Sequence, residues 1–103
     1  NTRTAFRVQE HHCNAHDSLH GGVMMALADY TLCLCANGGE TESVVTVSCN
    51  SEFIGPAYKG DLVEGRGELT RRGGSMVFSR CELFVGETVV LTSSAVIKRI
   101  RKK

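Results

Sequence analysis

No excess of either charge runs through this chain of 103 residues: the formal net charge is +1, which gives no global electrostatic reason to expect nucleic acid or a membrane surface as partner. No apolar run reaches the roughly 18 residues of a spanning helix, so no segment is expected to cross a bilayer. Five cysteines, Cys13, Cys33, Cys35, Cys49 and Cys81, form no CxxC pair and keep no regular spacing, and their odd number argues against a disulfide framework. A reducing, cytoplasmic setting fits that usage. Repeats, linkers and low-complexity segments are missing too, which leaves a single domain over residues 1–103, small enough that oligomerisation would help its stability. The first residue is Asn1 and no charged, apolar leader is visible, so the N-terminus is read as a trimmed one.

What is present falls into two patterns. From Leu19 to Ala36 the chain is rich in Ala, Leu and Met, holds no proline, and runs into Asn37, Gly38 and Gly39, residues that tolerate the left-handed C-cap of a helix. One helix of about four turns is expected there. Val23, Leu27, Tyr30 and Leu34 follow its period, but Met24, Ala26, Ala28 and Leu32 make the other faces apolar as well, so it should be wrapped by other structure. Cys33 and Cys35 on this helix read as small buried hydrophobes.

The second pattern is β. Ser43 to Ile54 is rich in β-branched residues, and "GPAYKGD", which holds the only proline, interrupts it. "DLVEGRGELT", "SMVFSRCELFV" and "TVVLTSSAVIKRI" follow, separated by "RRGG" and "GE", and read as antiparallel strands joined by tight turns. Thr4 to Glu10 alternates as a further strand. The order is α+β: a strand, a loop, a long central helix and four strands, with a curved antiparallel sheet wrapped around the helix. So few strands cannot close on themselves, and the free edges should pair with a second copy, a homodimer at minimum.

Chemistry concentrates where the helix begins. Gly21 and Gly22 stand at its start, where backbone N–H groups lack acceptors and the dipole is positive, a place able to polarise a carbonyl. Two glycines that merely let a loop turn into a helix are the plainer explanation. Asp29 follows Gly21 by eight residues, about two turns, on roughly the same side. A carboxylate on so apolar a helix must be paired or reach a cleft or solvent. His16 and His20 are spaced i, i+4, but no second ligand pair exists in a regular pattern, and no metal is expected. His20 reads as an organiser of the loop or a support for Asn14. Thr46, on the first strand after the helix, is by itself an ordinary β-branched residue.

Together, Asn14 six residues before "HGG" (His20 to Gly22), Asp29 within "ALADYT", "VTVSCNSEFIGPAYKGD" and "RRGGSMVFSRCEL" resemble the hotdog-fold acyl-CoA thioesterases of the phenylacetate-degradation (PaaI-like) type. The resemblance runs from about Phe6 to Arg99. It implies a long helix wrapped by a curved sheet, with the Gly21 N–H polarising the thioester carbonyl. It implies Asp29, from the partner subunit, as general base or nucleophile, Asn14 orienting the water or the acid, and Thr46 helping to place the water. Asp17 stands where the family often has glycine, and the residues that usually precede the first strand are missing. No cofactor is expected beyond coenzyme A itself, carried in on the substrate.

The phosphates of coenzyme A need cations and backbone donors, for which Arg71, Arg72, Gly73 and Gly74 are the first candidates and Lys98 and Arg99 the second. The acyl pocket would be lined by Met24, Met25, Leu27 and Phe53 beside Gly22, apolar residues that suit aromatic and medium-chain groups equally. The expected activity is hydrolysis of an acyl-CoA by a homotetramer built from two dimers. Two rivals share the fold. A hydratase or dehydratase would carry a D-x-N-x-x-H motif, which is absent, and a non-catalytic acyl-CoA-binding module would not need Asn14, Gly21, Asp29 and Thr46 together.

Overall fold

The computed structural model describes residues 2–15, 18–37 and 43–100. Its elements are β1 (Thr2–Arg7), a 3-10 turn (Glu10–His12), α1 (Gly21–Asn37), β2 (Ser43–Phe53), β3 (Leu62–Arg72), β4 (Met76–Val85) and β5 (Thr88–Ile100). The five strands form one antiparallel sheet in the order β1-β3-β4-β5-β2. Helix α1 lies on one face of it and touches every strand. The α+β layout of a long helix on a curved antiparallel sheet is therefore the observed one, with β1 and β2 as its two edges.

Boundaries differ from the expected ones for identifiable reasons. The expected first strand, Thr4 to Glu10, instead begins at Thr2, which pairs with Gly67, and ends at Arg7, because the Gln9 N–H donates to His12 Nδ1 at 2.9 Å and closes the 3-10 turn. Leu19 is not helical: its N–H donates to the Ala57 carbonyl at 2.7 Å, and the helix starts only after His20, whose carbonyl accepts from the N–H groups of Val23 and Met24. Gly38 and Gly39, the expected stop signal, lie outside the described residues, as do His16 and Asp17.

The core forms where α1 meets the middle of the sheet. Ala28, Leu32 and Ala36 are buried against Val63, Val77, Leu83, Leu91 and Ile97. Close approach requires glycine on β3. A Cβ on Gly65 would fall 2.3 Å from Thr4 Oγ1 and 2.9 Å from Thr31 Oγ1, and one on Gly67 would fall 2.5 Å from Cys35 Sγ. The buried hydroxyl of Thr31 is satisfied within this contact, donating to the Leu27 carbonyl at 2.8 Å and lying 2.7 Å from Thr4 Oγ1. Met24, expected in the acyl pocket, belongs to this core and is 3% exposed. The helix is also not wrapped all round, since Tyr30 remains 59% exposed and Leu34 is exposed as well.

One irregularity on β2 decides what faces the helix. The register with β5 shifts between Thr46 and Ser48, so Val47 is an extra residue and the alternation restarts beyond it. Thr46 pairs with Ile97, Cys49 with Ala95, Ser51 with Ser93 and Phe53 with Leu91, all four partners being buried residues of β5. Strict alternation from Thr46 would have turned Cys49, Ser51 and Phe53 to the opposite face. The bulge puts all four on the helix side.

Candidate active site

Thr46 and Asp29, 17 residues apart in sequence, meet through that bulge. The Thr46 hydroxyl donates to Asp29 Oδ1 at 2.8 Å. Asp29 is exposed, and its second oxygen makes no hydrogen bond among the described residues. Cys33, one turn further along α1, stands with its Sγ 3.9 Å from Asp29 Oδ1 and 3.6 Å from Thr46 Oγ1. Cys35 is buried as expected, but Cys33 is only half-buried and belongs to this polar group. Burial, and after it the charge of Asp29, push the Cys33 thiol above its ordinary value, against a downward pull from the Thr46 hydroxyl. The result is a carboxylate with one oxygen anchored and the other open to solvent.

The glycine end of α1 is a separate place in the same chain. Eight residues at about 1.5 Å each put Gly21 about 12 Å from Asp29 along the axis. Phe53 closes over this end, since a Cβ on Gly21 would touch its ring at 3.4 Å, whereas Gly22 faces open space. The first N–H groups of the helix, those of Gly21 and Gly22, have no acceptor among the described residues, as the helix geometry requires. Both Phe53 and Thr46 come from β2, so Gly21 and Asp29 do look toward the same strand.

The loop before the helix folds back on itself. Cys13 bridges to Leu19, the His20 N–H donates to the His12 carbonyl at 2.9 Å, and the Asn14 N–H donates to the Ser18 carbonyl at 2.9 Å. Asn14 Oδ1 accepts from the Ser18 hydroxyl at 3.1 Å and from its N–H at 3.4 Å. Ser18, rather than His20, is thus the described support of Asn14; the exposed His20 imidazole makes no hydrogen bond among the described residues. Asn14 stands at the Gly21 end, away from Asp29. Met25 is half-buried against the core and Phe53 is 55% exposed.

The β3–β4 turn sits at the other end of the helix. Arg72 donates to the Ala36 carbonyl at 3.0 Å, which places a cation at the negative end of the α1 dipole. Gly73 N–H donates to the Met76 carbonyl at 2.9 Å. Arg99 donates to the Gly74 carbonyl, bracing the turn from β5, while Arg71 and Lys98 are exposed. Sixteen residue steps of helix, about 24 Å, separate this turn from Gly21 in one chain.

A separate concavity on the sheet contains none of these residues. A groove of about 870 Å³ is lined by Asn50, Glu52, Arg66, Glu68, Arg80 and Glu82 among others, mainly residues that alternate with the core-facing ones on the far side of the sheet. Arg66 pairs with Glu82 at 3.0 Å and Arg80 with Glu68 across β3 and β4 there. Asp29 and Gly21 are not enclosed by the single chain, and it is chemistry rather than concavity that marks their side as the candidate site.

Comparison with known proteins gives four likenesses, of three kinds. Residues 16–92 match the sequence profile described as the thioesterase superfamily. A Pseudomonas aeruginosa protein, PA0474, provisionally named as an esterase, is 33% identical over 94 residues, covering 89% of this chain and 70% of that protein. Among solved structures, the phenylacetic acid degradation protein PaaI of Thermus thermophilus superposes with a TM-score of 0.88 at 26% identity, over 95% of this chain and 84% of that one. An acyl-CoA hydrolase of Staphylococcus aureus, solved with butyryl coenzyme A, shares the fold with a TM-score of 0.89 at 19% identity, over 97% of this chain and 65% of that one.

Proposed function

Since the chain belongs to the thioesterase superfamily and has the hotdog fold of its PaaI-like members, we propose that it hydrolyses acyl-CoA thioesters, with aryl or medium-chain acyl groups, to the free acid and coenzyme A. The observation that carries this reading is the Asp29 carboxylate, held through one oxygen by Thr46 at 2.8 Å and open at the other. A carboxylate so held can take a proton from water as the water oxygen bonds to the thioester carbon. The resulting oxyanion needs donors already in place, which the Gly21 N–H supplies at the positive end of α1. As the C–S bond breaks, the coenzyme A sulfur leaves and takes up the proton that Asp29 removed from the water, which restores the carboxylate. A direct attack of the same oxygen on the carbonyl, followed by hydrolysis of the anhydride, uses the same groups.

Asp29 and Gly21 of one chain are about 12 Å apart, too far to act on one carbonyl. A homodimer resolves this by facing Asp29 of one copy with Gly21 of the other. Tyr30 on α1 and Val45, Val47 and Phe53 on the edge strand β2 are exposed apolar side chains, as a second copy seated along that edge would require. Asn14 then belongs to the Gly21 half of each site, and Phe53, Met25 and Gly22 line the acyl end. A dimer of dimers is the assembly expected, and Arg71, exposed and with no side-chain bond among the described residues, is a cation of the β3–β4 turn available to a phosphate.

Purified protein offered a panel of aryl- and medium-chain acyl-CoAs should release free thiol, and Asp29→Ala should reduce kcat by about a hundredfold or more. Unchanged release in Asp29→Ala would end the proposal, and binding without release would favour the binding module. Sharing of the site has its own test. Gly21→Pro deletes the N–H at a helix position where proline is tolerated. Refolding it together with Asp29→Ala should return about a quarter of wild-type activity, because half the dimers are mixed and each has one intact site. No recovery would place both groups in one chain's site.

A further inference from the structure

The Cys33 thiol is the third member of the polar group on β2 and α1, and a count of protons gives it a direction. A threonine hydroxyl carries one proton, and that of Thr46 is committed to Asp29 Oδ1 at 2.8 Å. An ionised carboxylate has none to give. The contacts of Cys33 Sγ with Thr46 Oγ1 at 3.6 Å and Asp29 Oδ1 at 3.9 Å therefore have a single proton available between them, that of the thiol. Whichever acceptor it points to, the S–H feeds the same carboxylate oxygen, directly or through the hydroxyl. The titratable groups facing it among the described residues are Asp29 on its own helix and Cys49 on β2, and burial, with the Asp29 charge, keeps the proton on sulfur over the opposing pull of the Thr46 hydroxyl.

We propose that Cys33 is a positioning residue: with Thr46 it completes a donor chain on Asp29 Oδ1 that fixes the carboxylate's rotation and leaves the other oxygen as the one that reacts. The role rests on the reading of Asp29 as the reacting carboxylate, whereas the hydrogen bond itself does not. A thiol is a weak donor, so the effect is modest. Cys33→Ala should lower kcat by about threefold with KM unchanged and move the acid limb of the pH–rate profile upward. Cys33→Ser, which restores a stronger donor, should recover kcat to within about twofold and move that limb downward.

Equal loss in both variants, or a changed melting temperature with kcat and the acid limb unmoved, would reduce Cys33 to packing and overturn the proposal. The hydrogen bond can be read without turnover from the S–H stretching band in the infrared, assigned by its loss in Cys33→Ala. The band should move to higher frequency in Asp29→Asn, where the acceptor chain loses its charge. A shifted band together with full activity in Asp29→Ala overturns the catalytic reading on which the role stands; an unshifted band overturns the proposal and leaves that reading intact.

Discussion

Helix α1 has two flanks made of the same kinds of residue and put to opposite uses. Toward β3 and β4, Thr31 and Cys35 close on Gly65 and Gly67 so tightly that β3 has no room for a Cβ at either glycine, and Ala28 and Leu32 are buried beside them. Toward β2, a bulge at Val47 and a carboxylate at Asp29 hold the contact open, and its members are polar and partly exposed. A tightly packed flank resists change in volume and supplies stability. An open flank with an anchored carboxylate gives up burial and supplies a reactive group. Truncation should therefore register as lost stability on one side and lost rate on the other.

The sharpest way to break that contrast is at Leu32, fully buried at the centre of the closed flank. Leu32→Ala should cost about 2–5 kcal/mol, the usual range for deleting a buried leucine side chain, read by urea unfolding at fixed protein concentration since an oligomer's stability depends on it. The folded fraction of the variant should hydrolyse substrate at an unchanged kcat. A large fall in kcat at full folding would mean that the two flanks are mechanically one.

Thr46→Val tests the open flank from the other side. It keeps the β-branched shape and removes the donor to Asp29. A hydrogen bond to a charged group at an exposed site is worth about 1 kcal/mol or somewhat more, so kcat should fall about five- to tenfold, measured by thiol release, while the unfolding midpoint stays within experimental scatter. A loss of stability equal to that at Leu32 would show Thr46 to be core rather than site.

The closed flank is the more legible from sequence. The apolar character of the helix and the alternation of the strands are local signals, each repeated several times, although the period read along Val23, Leu27, Tyr30 and Leu34 is not the face that meets the sheet, where Ala28, Leu32 and Ala36 are buried. The fold follows from them, apart from terminal residues governed by long-range bonds such as Leu19 to Ala57. Asn14, Gly21, Asp29 and Thr46 are legible as a set only through a family resemblance, because nothing in "VVTVSCN" announces that Val47 is a bulge. Without it, alternation cannot put Thr46 against Asp29 and Phe53 against Gly21 together. Cys33 reads as a core residue for the same reason: on a helix it looks like Cys35, and only β2 tells them apart. Met24 errs in the other direction, since the periodicity of a helix apolar on most faces does not say which methionine meets the sheet.

The flanks also separate by pH. Cys81, on β4 beneath the helix, donates to the Ala28 carbonyl at 3.8 Å and is pushed up to about 12, first by burial and then by the neighbouring Cys35, Cys49 and Glu82. In the unfolded chain the same thiol ionises near 9. Above that value the unfolded state releases a proton that the folded state retains, so the unfolded state binds fewer protons and stability falls as pH rises. The stabilisation is whole below about pH 9 and is lost progressively toward 12. Tyrosine and lysine ionisation act on wild type and Cys81→Ala alike, so the difference between their melting curves isolates this thiol. The variant should start lower at neutral pH and decline less steeply between about pH 9 and 12, and parallel curves would show that Cys81 meets solvent as freely as the open flank does.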